Sequence, residues 1–559
     1  MKTTLYPARK VITMNPNRPL ADCVAVRDGR ILGTGSLEEL ARWGEHRVDT
    51  RFQHQVLMPG FVEGHCHLSQ GALWRFVYVG PHDRVDPNGQ TWPAVTTLAA
   101  VVARLKTAHD SAPHLPVVAW GFDPLSMQGP RCSRHDLDTV SDQQAVVLMH
   151  ASLHVITTNT PGLRVGGYLR AGIDHPGLPL GPDGLPAGEL RGPDAMWPVA
   201  EAAGLSRGLL AADEDGIGVF ARLCVRTGVT TAADLSNPLT DEIVAMMRRV
   251  TGAPDFPLRV VSMQRMAGQG PVETVANAVR LKDLSSDRLR LGFVKVVVDG
   301  SIQGLTARVQ WPGYFNGADN GLWYVAPEQL CTLLSHALGS KVPVHLHTNG
   351  DEATELALDC MQAALSESPA FDHRCTLQHA QMSTPAQFLR MRSLGLCVNL
   401  FANHLYYWGD VHYARTLGPE RAERMNACAS AIDAGVPFAI HSDAPVTPLA
   451  PLFTAWCAVN RRTAAGRVLG AAQCIGVGQA LHAITLGAAY TLGLDAEIGS
   501  IEAGKRADFA VLNDDPLDCP PEALKDIGVW GVVQGGRVFP ADRPPPAAGP
   551  QDGTRDIHS

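Results

Sequence analysis

Long apolar runs are missing from this 559-residue chain. Nowhere does it offer the roughly 18–20 consecutive apolar residues that cross a bilayer. The opening residues Met1-Lys2-Thr3-Thr4-Leu5-Tyr6-Pro7 lack the apolar centre of a secretory signal, so a cytoplasmic location is expected, without a membrane partner. Basic runs are missing too. With 47 Lys and Arg against 55 Asp and Glu, the net charge is −8, which argues against a nucleic-acid partner. The twelve cysteines contain no C-x-x-C pair, which excludes a zinc ribbon and a dense disulfide framework. They read as small buried apolar residues kept reduced.

What is present fits a large globular fold. Hydrophobic residues at 45% and charged residues at 18% supply an ample core, and 40 prolines with 54 glycines imply many short elements and tight connections. Residues 1–57 read as strands, with Asp28-Gly29 as a hairpin signal between apolar runs. Residues 497–541 have the same character. The two ends are expected to form one small β-sandwich domain around a larger inserted domain, 58–496. The tail 542–559, with Pro544-Pro545-Pro546 and few apolar residues, is expected to be disordered.

In the large domain, strand-like runs alternate with helix-like stretches. The strands are expected near 116–120, 145–149, 229–233, 293–298, 342–347, 375–379, 396–400 and 437–440, with helices such as 330–338, 353–365 and 385–394 between. Such alternation predicts parallel βαβ units, and about eight of them suit an α/β fold of the (β/α)8 TIM-like barrel type. The proline- and glycine-rich stretches 80–95 and 173–195 are too long for ordinary connections and read as insertions over one face.

Barrel enzymes carry their chemistry at the C-terminal strand ends. The run Met58-Pro59-Gly60-Phe61-Val62-Glu63-Gly64-His65-Cys66-His67 ends in two histidines that share a strand face, with Cys66 on the other. Alone, His-x-His also describes two half-buried histidines with unrelated partners. Here, however, other strand ends supply His347, His379 and Asp443, and together these form a metal-ligand set. Lys295, amid valines in Val294-Lys295-Val296-Val297-Val298, must shed its charge or find a partner, because burial disfavours the ammonium. Asp299, four residues on and on the same face, could pair with it. The functional alternative is a neutral amine that carries carbon dioxide as a carbamate and bridges two metals.

These motifs resemble the amidohydrolase superfamily, specifically the metal-dependent amidohydrolase family 3, whose members include N-substituted formamide deformylases. The matching residues are the Pro59–His67 run, Asp299-Gly300-Ser301, His347-Thr348-Asn349-Gly350-Asp351, Gln378-His379-Ala380-Gln381, Ser442-Asp443-Ala444-Pro445 and the stretch from Ile498 to Leu512. Glu63-Gly64 departs from the Asp-Ser of many relatives. The resemblance implies that His65, His67 and Asp443 hold the more buried metal and that His347 and His379 hold the more exposed one. A carbamylated Lys295, together with a hydroxide, would bridge them. His345 and His441, two residues before His347 and Asp443, fall one layer deeper in the barrel.

Two zinc ions per subunit suit so many imidazoles, and a homodimer is the superfamily-level expectation. The implied reaction is attack of a metal-bridging hydroxide on the carbonyl of an amide, formamide, imide or carbamate, breaking its C–N bond, with Asp443 passing the proton to the leaving nitrogen. Trp120, Asp123, His154, Asn159, His404 and Trp408 are candidate contacts to a small-molecule substrate. Leu153-His154 with Asn159 resembles a Gly-His…Asn element of the family. As alternatives, Tyr406 and Trp408 could be packing residues and His412 a surface histidine. A mononuclear ring deaminase and a catalytically inactive binding homologue are the competing functions.

Overall fold

The computed structural model describes residues 2–127, 131–205, 213–266, 268 and 270–542. Eight parallel strands form the path of the central sheet in chain order: Phe61–Cys66, Val229–Asn237, Arg259–Arg265, Val294–Val297, Val344–Thr348, Thr376–His379, Cys397–Leu400 and Phe438–Ile440, with a ninth, two-residue strand Leu289–Arg290 also paired to Arg259–Arg265. The circle is drawn together where Cys66 bridges Ala444. There the Asp443 amide donates to the His65 carbonyl at 3.1 Å, and the His67 amide donates to the Ala444 carbonyl at 2.8 Å. This is the TIM-like barrel the alternation predicts.

The period of two decides what faces inward. Val294, Val296, Val344, Leu346, Leu377, Val398 and Leu400 join the apolar cluster under the surrounding helices, as does Cys66. Their alternates Lys295, His345, Gln378 and Asn399 are buried within the barrel.

Two expected barrel strands belong elsewhere. The runs at 116–120 and 145–149 lie in a separate five-stranded sheet ordered Glu189–Arg191, Val155–Thr158, Val146–His150, Val117–Phe122, Val77–Tyr78. This unit interrupts the chain between the first and second barrel strands. It carries apolar clusters on both faces, Val118, Trp120 and Val147 on one, Val117, Ala119 and Val146 on the other. The third barrel strand, Arg259–Arg265, escaped the sequence reading because Arg259, Ser262, Gln264 and Arg265 dilute its apolar signal. The stretches 80–95 and 173–195 are both parts of the inserted unit; the first holds the small hairpin of Arg84–Val85 and Thr91–Trp92.

The two chain ends share one eight-stranded sheet, in which Val56–Pro59 pairs with Thr3–Ile12 on one side and with Phe509–Leu512 on the other. Phe509 and Val511 face the sheet's own core, whereas Ala510 and Leu512 pack against the barrel. The expected tail lies outside the described residues from 543 onwards. Among the described residues no helix is long and apolar enough to cross a membrane. The expectation for the cysteines needs one correction: Cys331 and Cys360 form a disulfide between helices Pro327–Gly339 and Asp351–Glu367. Their spacing of 29 residues gave no signal, because only the packing of the two helices brings them together.

A buried ion pair ties barrel to terminal sheet. Arg259, 1% exposed, meets Asp508 at 3.2 Å, and Asp508 also accepts the Gly535 amide at 2.7 Å. Arg259 also reaches the Asp287 carbonyl and, at 3.4 Å, its carboxylate, so Asp508→Ala would leave the guanidinium with a single, half-exposed counter-ion. We expect a loss of about 1–3 kcal/mol in unfolding free energy by urea titration, and a smaller loss for Asp508→Asn.

Candidate metal centre

The closure between first and last strands delivers three ligand atoms to one point. His65 Nε2 and His67 Nε2 lie 3.3 and 3.2 Å from the same oxygen, Asp443 Oδ1. His65 is committed in its tautomer: Nδ1 donates to Gln378 Oε1 at 2.7 Å, which leaves the Nε2 lone pair free for a metal. Gln378 Oε1 also accepts from Asn399 Nδ2 at 3.1 Å, and its own amide donates to His345 Nδ1 at 2.7 Å. One glutamine thus fixes the orientation of two imidazoles.

Backbone strain helps to aim the ligands. His379 and Asp443 adopt φ of 67° and 52°, a region that side chains other than glycine rarely occupy and that clusters at functional sites. His379 Nε2 approaches His347 Nδ1 at 3.0 Å, and its Nδ1 lies 3.9 Å from Asp443 Oδ2. Donor atoms of His65, His379 and His441 form a second close group beside that of His65, His67 and Asp443. Both His441 nitrogens lack a hydrogen-bond partner, and its ring stacks on His65 at 4.7 Å.

The electrostatics suit a cation. Burial, reinforced by the Lys295 charge, drives His65 well below the ordinary imidazole value and His347 down to about 3, so both are neutral, as ligands must be. Burial alone would push Asp443 up, but its hydrogen bond with His67 and the charges of His67, His441 and Lys295 hold its carboxyl below the usual value. Imidazole nitrogens and a carboxylate oxygen converging on one point fit a divalent metal.

Lys295 sits amid this set. It is 2% exposed, its Nζ has no hydrogen-bond partner, and burial lowers its pKa to about 7, opposed only by the charge of Asp443. The pairing with Asp299 does not form. Asp299 instead accepts the amides of Asn349, Gly350 and Arg308 at 2.9, 2.9 and 3.0 Å, and burial raises its own carboxyl to about 7.

A cavity of about 1060 Å³ lies between the inserted unit and the barrel loops, lined by Asp123, His154, Gln303, Tyr324 and Trp408 among others. His154 couples it to the metal site: burial lowers its pKa, and the charges of Asp443 and His67 act on it. Asp123 accepts Trp408 Nε1 at 2.9 Å, which fixes that ring in the cavity wall. His404 is buried behind the wall, 3.0 Å from Gln303 Oε1, and stacks on a buried His412, which is therefore no surface residue. Tyr406 packs against the main core. Trp120 lies in a side cavity with Asp123 and Trp408.

Asn159 departs from the expected role. It caps helix Thr160–Val165, accepts the Val146 and Gly162 amides and donates to the Ser141 and Gln144 carbonyls, so none of its polar capacity is left for a substrate. The sequence reading missed Gln378 and Asn399 as orienting groups; the available signal was a polar residue at an inward strand position. Glu63, noted in the sequence only as a departure from many relatives, is buried and accepts Ser442 Oγ at 2.8 Å across the barrel seam.

Residues 54–540 match the amidohydrolase family. The chain belongs to that family. This amidohydrolase is 26% identical over 551 residues to the protein LONG AFTER FAR-RED 3 of Arabidopsis thaliana, covering 94% of this chain and 90% of the relative. It is equally 26% identical to an N-substituted formamide deformylase of Arthrobacter pascens, covering 95% and 96%. Among solved structures, a metal-dependent hydrolase from Pyrococcus horikoshii OT3 superposes with a TM-score of 0.72 at 18% identity, covering 93% of this chain and 99% of that one, a likeness of fold.

Loss of an orienting hydrogen bond typically weakens metal affinity about 10–100-fold. We expect that loss for Gln378→Leu in a zinc titration against a competing chelator, with the circular dichroism spectrum unchanged.

Proposed function

We propose that this amidohydrolase cleaves a C–N bond of a small amide, formamide, imide or carbamate at a centre of two divalent metals, preferably zinc. His65, His67 and Asp443 would hold one ion, and His347 and His379 the other. Lys295 would bridge them as a carbamate. The observation that carries the reading is Lys295 itself, a buried amine without counter-ion whose charge bears on His65, His347, His379 and Asp443. As a bare ammonium it would oppose a metal; as a carbamate it becomes an anionic ligand in the same place.

The bound metals supply Lewis-acid polarisation of the carbonyl and a water acidic enough to ionise near neutral pH. The protein's own residues do the rest. Asp443, kept ionised by His67 and Lys295, accepts the proton of the attacking water at its carboxylate and returns it to the leaving nitrogen. Gln378 holds His65 in its ligating tautomer. The cavity under the inserted unit, with Trp408 fixed by Asp123, takes the remainder of the substrate and sheds its water.

A hydrolysis screen of N-formyl, N-acyl, imide and carbamate compounds with metal-reconstituted enzyme tests the reading. Turnover confined to ring amines would replace it with the deaminase alternative, which the compact group of His65, His67 and Asp443 favours. Metal analysis discriminates further, with two equivalents expected here and one for the deaminase.

Asp443→Asn should lower kcat by about 10³-fold; near wild-type turnover would remove Asp443 from its role. Lys295→Ala should lose metal and activity together and regain both with short carboxylic acids.

The carbamate also predicts a pH dependence. Only the neutral amine takes up carbon dioxide, and the folded pKa lies at about 7. Reconstitution of metal-free enzyme with zinc and bicarbonate should therefore be poor at pH 6 and rise through pH 8, followed as recovered activity.

A further inference from the structure

Arg84 is a buried cation without a counter-ion. The residue is 7% exposed, and one nitrogen, Nη2, donates to the carbonyls of Pro445 and Val446 at 2.9 and 3.1 Å. Its Nε and Nη1 have no acceptor. Among the described residues no carboxylate forms an ion pair with it, and those of Asp83, Asp86 and Asp123 accept other hydrogen bonds. Asp83 accepts the Ala94 amide at 2.8 Å, Asp86 those of Asn88 and Gln90 at 2.8 and 2.9 Å, and Asp123 the Leu125 amide, Ser126 Oγ and Trp408 Nε1.

The guanidinium lies 5.7 Å from the ring centres of both Tyr78 and Trp120. The Tyr78 hydroxyl, which donates to the His82 carbonyl, lies close enough for Arg84 to act on it, whereas the Trp120 ring attracts the charge but offers the N–H edges no acceptor. Trp120, 2% exposed, has an unpaired Nε1–H of its own. Unpaired buried donors and an uncompensated buried charge are both costly, and such groups are ordinarily matched by a partner.

Arg84 and Trp120 line the same small cavity. Its free volume of about 20 Å³ is enough for one water-sized group, such as a carboxylate oxygen. It shares Asp123, Ala151 and Trp408 with the large cavity, and its wall includes Pro445 and Val446, two and three residues beyond Asp443. The residues with unmet donors therefore line a small cavity that adjoins the large one and is walled by the segment following Asp443. We propose that Arg84 and Trp120 form a subsite for a carboxylate that the substrate carries close to its scissile bond, so that N-acylated amino acids and similar acidic amides are the favoured class. A guanidinium edge matches a carboxylate in geometry as well as charge. The proposal rests on the C–N hydrolase reading above.

The test uses the zinc-reconstituted full chain and matched pairs of N-acyl amino acids and their carboxamides, with affinities from calorimetry and turnover measured alongside. The wild type should bind the acid at least tenfold more tightly than the amide, and acetate should compete for the acid more strongly than chloride. In Arg84→Met the ratio of acid to amide affinity should collapse toward one. Trp120→Phe, which keeps the ring and removes the N–H, should lower the same ratio severalfold and serves if Arg84→Met fails to fold. Equal affinities in the wild type, or an unchanged ratio in the variants, would overturn the subsite. So would chloride competing as well as acetate, which would mark a site for free inorganic anions. Absence of turnover with intact discrimination in binding would instead fault the hydrolase reading and leave the subsite standing.

Discussion

The seam between the first and last barrel strands is the constraint from which the site follows. Two backbone hydrogen bonds, from Asp443 to His65 and from His67 to Ala444, set the register of strands brought together from residues 65–67 and 443–444. Glu63 reinforces them by accepting both the amide and the hydroxyl of Ser442. A slip of one residue would turn the alternating side chains to the opposite face. Asp443 would then leave the two imidazoles whose Nε2 atoms now share its oxygen. Metal binding here is a matter of barrel closure before it is a matter of ligand chemistry.

The second organising element is the concentration of poorly solvated polar groups inside the barrel. Lys295, His345, Gln378, Asn399 and His441 lie where a purely structural barrel would place branched apolar side chains. Each one forfeits packing energy. Gln378 recovers part by linking His65, His345 and Asn399, whereas Lys295 and His441 recover nothing through protein hydrogen bonds. Such a distribution marks a barrel interior whose polar groups are only partly satisfied by protein hydrogen bonds.

Much of this was legible in the sequence because a strand has a period of two and a parallel barrel places its chemistry at one end. His65, His67, His347, His379 and Asp443 could be found from that regularity alone, and the structure gathers them at one barrel mouth. The inserted sheet was not legible. Val117-Val118-Ala119 and Val146-Val147-Leu148 have the same local pattern as barrel strands, and only long-range pairing separates the two. Arg259–Arg265 failed for the opposite reason, since its polar residues are satisfied by partners far away in the chain, as Arg259 is by Asp508. Asn159 misled because a residue that caps a helix and one that grips a ligand look alike until its hydrogen bonds are counted.

The position of the inserted unit has a consequence for how such an enzyme can change. It leaves the barrel after Phe61–Cys66 and returns at Val229–Asn237, and these two strands are paired neighbours. The barrel therefore brings the ends of the excursion together whatever its length, and loop-closure entropy grows only slowly with the number of residues between them. The unit also has apolar clusters of its own on both faces of its sheet. One wall of the large cavity can thus be rebuilt, lengthened or exchanged without disturbing the strand ends that carry the ligands. The metal centre and the specificity wall are separable parts, joined at a few points such as the contact of Arg84 with the residues after Asp443.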